Sequence, residues 1–453
     1  MSEIPLPAAT GAPAGLWALP GGFSRFLHSL LTYGFLFYTF IGTNPIDYRP
    51  LAERVDGNPA SRVVVLVLLA LAVVVAWTNR SALVPCLKAN VGLFAVVGFC
   101  LASVLWSPFP DLALRRAVFQ ILVTGVAVGI AVGVTDLRRF HTAIFIGMMT
   151  VVACNFLAVA AWPSLTIADN GVVGLYAQKN PAGAVAMIAV VCATTWTIGA
   201  SRLQSTMVGL GGMALSALFL VLTNSKTSIG LAALALLIIA VFVLAEKGGP
   251  RFVLVVVFGA LLALAGLLTV FAAIDFDNAR LLEILFGDAS FTGRDELWAF
   301  ALRSCLERPW LGHGYGAFWD VGLTNDPLRS LEPGTWLGDV DPGIINQAHN
   351  GYLDLWLQIG LPATVVATLV VLAAALSAGR RALLRDLDRG ARAALGMLAA
   401  LLFLHLLHNS TEATLFARGV AFANLAILCI LVTAQAQFLA DAAPRGERSG
   451  AEG

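Results

Sequence analysis

The chain has 453 residues, 58% of them hydrophobic and only 12% charged, with a mean hydropathy of +0.84. A soluble domain carries about 25% charged residues, so these values exclude one and make lipid the main solvent. The net charge of +1 argues against any nucleic-acid role.

A bilayer core takes about 20 apolar residues per helix. Twelve such runs occur in chain order, at about 27–43, 62–78, 90–106, 117–135, 141–162, 181–200, 206–224, 229–246, 252–274, 352–377, 393–408 and 419–437. They predict an all-α polytopic membrane protein. Barrel strands alternate apolar and polar residues, whereas Val63 to Trp77 is unbroken apolar. Residues 1–26 hold Glu3 and no positive charge before Arg25, and read as a loose cytoplasmic tail without a cleaved signal peptide. Residues 27–274 carry helices 1–9, residues 352–437 carry helices 10–12, and residues 438–453 form a polar cytoplasmic tail.

The positive-inside rule sets the orientation. With both termini in the cytoplasm, Arg80, Lys88, Arg138, Arg139, Arg202, Lys247, Arg251 and the dense run Arg380, Arg381, Arg385, Arg389 and Arg392 lie inside, as do Arg445 and Arg448. Five cysteines, Cys86, Cys100, Cys154, Cys192 and Cys429, lie in or beside apolar runs, and Cys305 falls in the outer loop as one exposed thiol, which makes no disulfide framework. No cysteine or histidine grouping has zinc-site spacing, and no cofactor is expected.

The segment 275–351 is a long periplasmic loop and holds most of the polar chemistry. Trp298, Trp310, Phe318 and Trp319 predict a folded element that hugs the membrane. Thr292 and Asp295 fit a capping box opening a helix from Gly293 to about Glu307. Arg294 then stands in the first turn, where free N–H groups suit an anion such as phosphate. Pairing of Arg294 with a nearby carboxylate is the open alternative. Next comes Gly312-His313-Gly314-Tyr315-Gly316. No strand precedes it and no helix opens on it, so it reads as a tight backbone turn against the membrane surface and not as a dinucleotide loop. Asp339-Val340-Asp341, flanked by Gly338, Pro342 and Gly343, reads as a turn in preference to a metal site. The loop re-enters the membrane through Asn346-Gln347-Ala348-His349-Asn350-Gly351-Tyr352. An imidazole there suits a general base, because histidine exchanges protons near neutral pH. His28, His141, His405 and His408 read as packing or interfacial residues.

Thr292-Gly293-Arg294 with Trp298, then Arg308-Pro309-Trp310-Leu311-Gly312-His313-Gly314-Tyr315-Gly316, then Ala348-His349-Asn350-Gly351-Tyr352-Leu353 together resemble the signature of the O-antigen ligase and Wzy-type polymerase superfamily. The flavour is closest to the succinoglycan-type exopolysaccharide-production polymerases. Gln178-Lys179-Asn180 and Asn224-Ser225-Lys226-Thr227-Ser228 are consistent with it. The resemblance implies a fold related to the GT-C class, no metal requirement, and glycosyl transfer on the periplasmic face of the bacterial inner membrane from an undecaprenyl-diphosphate-linked glycan. It also implies a glycan acceptor, the lipid bilayer, and flippase and chain-length regulator proteins of the same pathway as partners. The family's functional positions map onto Lys226, Arg294 and His349. Lysine replaces the ligases' common arginine at 226, a point charge in place of a bidentate fork, which favours the polymerase branch.

The chemistry agrees with this assignment. Breaking an anomeric bond to a diphosphate builds negative charge that cations must meet, and Arg294, Lys226 and the helix dipole supply them. Arg115 and Arg116, near the outer end of the fourth helix, are further substrate-binding candidates, with snorkelling as the alternative. The acceptor hydroxyl needs a base as its bond forms, and His349 is the expected one. Attack from the opposite face would invert the anomeric centre. Asn180, Asn350 and Glu412 complete the expected binding set, with Glu412 orienting an acceptor, pairing with Arg294 or standing as an interfacial carboxylate. A polymerase of lipid-linked repeat units is thus the first expectation. A ligase transferring glycan to lipid A core or protein is the alternative. A twelve-helix transporter fits less well, because transporters place ionisable residues at mid-membrane and these helix interiors are nearly charge-free.

Overall fold

The computed structural model describes residues 21–45, 58–244, 294–384 and 386–442. The expected ninth span at 252–274, the loop stretch 275–293 with Thr292 and Gly293, and residues 1–20 and 443–453 of the expected tails lie outside the described residues, whereas residues 21–26 and 438–442, expected in those tails, belong to the first and last described helices.

Helices occur at each of the other predicted runs: Gly21–Phe40, Pro59–Thr78, Val91–Ala102, Pro110–Gly133, Leu137–Ala161, Lys179–Gly199, Leu203–Leu222, Lys226–Leu244, Gly351–Ala382, Arg389–His408 and Ala421–Ala442. Among the described residues, nine helices are long and apolar enough to cross a membrane, or ten if one bent pair is counted as a span. Gly21–Phe40 is not among the nine, since Arg25, His28 and Ser29 dilute its apolar run. Small residues let the helices approach closely: a side chain at Gly129 would collide with Ala72 on Pro59–Thr78.

Two predicted spans are broken. The run at 90–106 continues a helix, Arg80–Ala89, that the sequence reading left as a connection, and the two are bent by 76° at Asn90. The run at 352–377 becomes the 32-residue helix Gly351–Ala382, interrupted at Gly360 with φ 80° and ψ 163°. Pro362 has no N–H to continue the ladder, and glycine alone tolerates this backbone next to it. A helix broken inside an apolar bundle exposes carbonyls that must find donors. The glycine turn provides them: His313 N–H donates to Leu357 O at 2.7 Å and Gly314 N–H to Gln358 O at 2.9 Å, while Leu361 N–H donates to Pro309 O at 2.8 Å.

The glycine turn plugs the helix break, with Tyr315 fully buried and its hydroxyl donating to Phe416 O at 2.7 Å. Gly312 and Gly316 take φ 67° and Gly314 takes φ 101°. A Cβ at Gly312 would strike the Gln358 backbone, and one at Gly314 would strike Ser107.

The rest of the outer segment folds around a small core of its own. Helix Arg294–Glu307 contributes Leu297, Phe300, Ala301 and Cys305, which pack with Phe318, Trp319, Leu328, Leu337, Ala348 and Leu357. Cys305, expected to be exposed, is 1% exposed, because it faces this core from the helix. Trp310 alone of the four expected aromatics is largely exposed, at 68%. Asp339 sits in a turn, as its flanking residues predict, and accepts from Gly334 N–H at 3.0 Å.

Candidate active site

The starts of helices Lys179–Gly199, Lys226–Leu244, Arg294–Glu307 and Gly351–Ala382 meet the end of helix Arg389–His408 at one end of the bundle. At another point Arg138 pairs with Asp388 at 2.5 Å and Arg389 donates to Ile198 O at 2.6 Å, so the basic connections gather apart from that end.

Ala348 and His349 are held by local chemistry. Asn350 caps helix Gly351–Ala382 by accepting from Tyr352 N–H at 3.1 Å and Leu353 N–H at 3.2 Å, a contribution of about 1 kcal/mol for such caps. Buried Asp354 accepts from Ala348 N–H at 2.9 Å, from the Trp319 indole at 2.8 Å and from Gln358 Nε2 at 2.8 Å. Gly351 N–H donates to Asn409 O at 2.8 Å. His349 itself has φ 48°, a left-handed backbone that non-glycine residues seldom adopt. Its side chain keeps 30% of its exposure.

Glu412 is the hub of the site. One oxygen, Oε2, lies 3.0 Å from His349 Nδ1. The other, Oε1, accepts from Asn180 Nδ2 at 2.9 Å and lies 3.6 Å from Arg294 Nη2. Arg294 Nη1 also donates to Thr411 O at 3.1 Å. Burial pushes the Glu412 carboxyl up. The His349 hydrogen bond and the charges of His349, Arg294 and His408 outweigh it and hold the group below its ordinary value. Arg294 and Glu412 thus stand as an ion pair, one of the alternatives that the sequence leaves open for each of them.

Asn180 Oδ1 lies 3.4 Å from Ser225 Oγ, which lies 3.0 Å from Ser228 Oγ. This ties the Asn224–Ser228 stretch to the hub. Lys226, next to Ser225, is exposed at the start of its helix. Thus His349, Arg294, Asn180 and Glu412 come into direct contact, and Lys226 stands one residue from their hydrogen-bond chain.

Arg115 and Arg116 are placed differently. Their helix begins at Pro110, so they stand in its second turn. Arg115 Nε donates to Asp111 O at 3.3 Å. Arg116 is 5% exposed and donates to Gly316 O, to Trp319 O at 3.0 Å and to Asp320 O at 2.9 Å. Its guanidinium fork therefore secures the glycine turn. Burial pushes the neighbouring Asp320 carboxyl up, against the pull of Arg116 and Arg418.

A cavity of about 570 Å³ adjoins the hub. Glu412, Asn180 and Gln347 line one part of it, and Arg62, Arg115 and Arg418 another. Arg62 and Arg418 were not read from the sequence, where an arginine beside an apolar run carries no sign of what it faces. The four histidines read as packing residues are held within the protein: His141 contacts Thr195 Oγ1 at 3.1 Å, His28 contacts Ile130 O at 2.9 Å, and His405 and His408 are buried beside Thr414. His408 also lines the cavity. Among the described residues, no group of three or more His, Cys, Asp or Glu side chains is arranged to hold a metal ion.

Residues 211–368 match the family model described as O-antigen ligase. That stretch includes Lys226, Arg294, the glycine turn and His349, while Asn180 and Glu412 lie outside it. The chain is also similar to the exopolysaccharide production protein ExoQ of Rhizobium meliloti, at 26% identity over 320 residues, covering 69% of this chain and 70% of that protein. The family resemblance expected from the ordered motifs is therefore present in both comparisons.

Proposed function

We propose that this chain is a glycosyltransferase of polysaccharide assembly, polymerising undecaprenyl-diphosphate-linked repeat units on the periplasmic face of the inner membrane without a metal ion. The observation that carries this reading is the meeting of His349, Arg294 and Glu412 at one end of an apolar bundle, within and beside the stretch that matches the O-antigen ligase model. The positive-inside distribution of arginines supports placing that end outside.

In the reaction, the acceptor hydroxyl attacks the anomeric carbon as His349 takes its proton, and the bond to the diphosphate oxygen breaks with its electron pair leaving on the diphosphate. Arg294 and Lys226 are the cations for that charge, in a site where preorganised charge is worth more than in water. Attack opposite the leaving group inverts the centre.

A second reading, ligation of finished glycan to another acceptor, is favoured by the description of the matched family model. Purified protein in liposomes, given one lipid-linked repeat unit and no other acceptor, separates the two. A ladder of lengthened lipid-linked chains supports the polymerase. Product formed only after lipid A core is added supports the ligase, and no product with either acceptor overturns both.

A further inference from the structure

The ionised carboxylate of Glu412 can only accept hydrogen bonds. Its Oε1 is engaged by the Asn180 amide at 2.9 Å and faces the Arg294 guanidinium at 3.6 Å. Its Oε2 faces His349 Nδ1 at 3.0 Å. In the neutral imidazole one nitrogen donates and the other accepts, so a proton held on Nδ1 by this carboxylate leaves the lone pair on Nε2. The backbone that presents the ring is held by Asp354 on Ala348 N–H and by Asn350 capping the next helix.

We infer that Glu412 is a positioning residue for the proposed glycosyl transfer, fixing His349 with its bare Nε2 toward the acceptor and stabilising the imidazolium formed in the transition state. Asn180 is its support, holding Oε1 so that Oε2 stays on the imidazole. This rests on the function proposed above. The balance is complete within it: the hydroxyl proton passes to Nε2, the acceptor oxygen bonds to the anomeric carbon, and the diphosphate leaves with the electron pair. His349, Arg294 and His408 are the charged or titratable groups that act on the Glu412 carboxyl.

From sequence, Glu412 touches an acceptor, pairs with Arg294 or stands as an interfacial carboxylate. The contact with His349 gives it a different task, and the two make opposite kinetic predictions. A group that touches substrate changes KM when removed, whereas one that orients the base changes kcat.

The test uses purified full-length protein in liposomes with a lipid-linked repeat unit as substrate. For Glu412→Gln, kcat should fall about 10²- to 10³-fold, within the range for loss of acid–base catalysis, with KM changed less than about threefold. Glu412→Asp, which keeps the charge, should recover at least about tenfold of that loss. Asn180→Ala should lower kcat about tenfold at unchanged KM, and it remains informative if Glu412→Gln does not fold. Unchanged kcat in either Glu412→Gln or Asn180→Ala would overturn the inference, as would a raised KM with kcat intact. His349→Ala, measured in parallel, separates the two levels. If it is inactive while Glu412→Gln is fully active, only the role of Glu412 falls. If it is itself fully active, the proposed function falls too.

Discussion

Trp298 and Ala348 are joined by a hydrogen bond from the indole N–H to the carbonyl at 2.9 Å. The bond ties the helix that begins at Arg294 to the residue before His349, so the cation and the base belong to one rigid unit. Leu297, Phe300 and Ala301 on the same helix pack with Ala348 in the small outer core, which adds apolar contact to the polar tie.

Trp298→Phe keeps most of that packing and removes the indole N–H. The Ala348 carbonyl then loses this donor, at a cost of about 1–3 kcal/mol for a buried polar group. We expect a lower unfolding temperature in detergent and a several-fold drop in turnover, with KM little changed because neither residue lines the cavity beside Glu412. Thermal unfolding of the purified variant, followed by steady-state kinetics, checks this.

Asp354→Asn tests the clamp on His349 from the other side. The carboxylate accepts from three donors, and an amide places an NH₂ group against at least one of them. The expected outcome is a folded protein with turnover reduced about ten- to a hundredfold, as a slightly misplaced base would give. Size-exclusion behaviour and kcat on the same preparation distinguish this from simple unfolding.

Gly360→Ala should fail to give monodisperse protein. The position has φ 80°, and an added Cβ would overlap the carbonyl of Trp310, whose neighbour Pro309 accepts from Leu361 N–H at 2.8 Å. Both the backbone conformation and the plug of the helix break are lost together. The yield of monodisperse protein after membrane extraction is the readout.

The apolar runs place the long described helices, with ends off by up to about seven residues, because a bilayer demands long unbroken hydrophobicity, but they miss Arg80–Ala89. They could not show the break at Gly360, since Gly360, Leu361 and Pro362 read as apolar continuation until a loop from 309–314 is seen satisfying the freed backbone groups. The ordered motifs pointed to Arg294 and His349 through a family resemblance, and spacing alone left Arg294 ambiguous. Its partner Glu412 follows the next-to-last described helix, so the pairing exists only in three dimensions. Arg116 shows the same limit: a charge near a helix end reads alike whether it meets water or the carbonyl of Trp319, 203 residues on.

Glu412 also sets a pH dependence. Its carboxyl is held below the ordinary value of 4.5 by its partners despite burial. A group depressed on folding contributes stability that is fully present above its unfolded value and lost as pH falls through the folded one. The wild type should therefore lose more unfolding temperature than Glu412→Gln as pH is lowered from about 4.5. The comparison needs only detergent-solubilised protein and no substrate.

The most direct test of the central claim is turnover of His349→Ala, inserted normally in the membrane and purified, with a lipid-linked repeat unit as donor and acceptor and the anomeric configuration of any new bond read by NMR. Wild-type protein is expected to form an inverted linkage, and the variant to lose at least roughly 10²-fold in turnover, the scale set by removing a general base. Wild-type turnover by His349→Ala, or a retained configuration in the wild-type product, would contradict the claim.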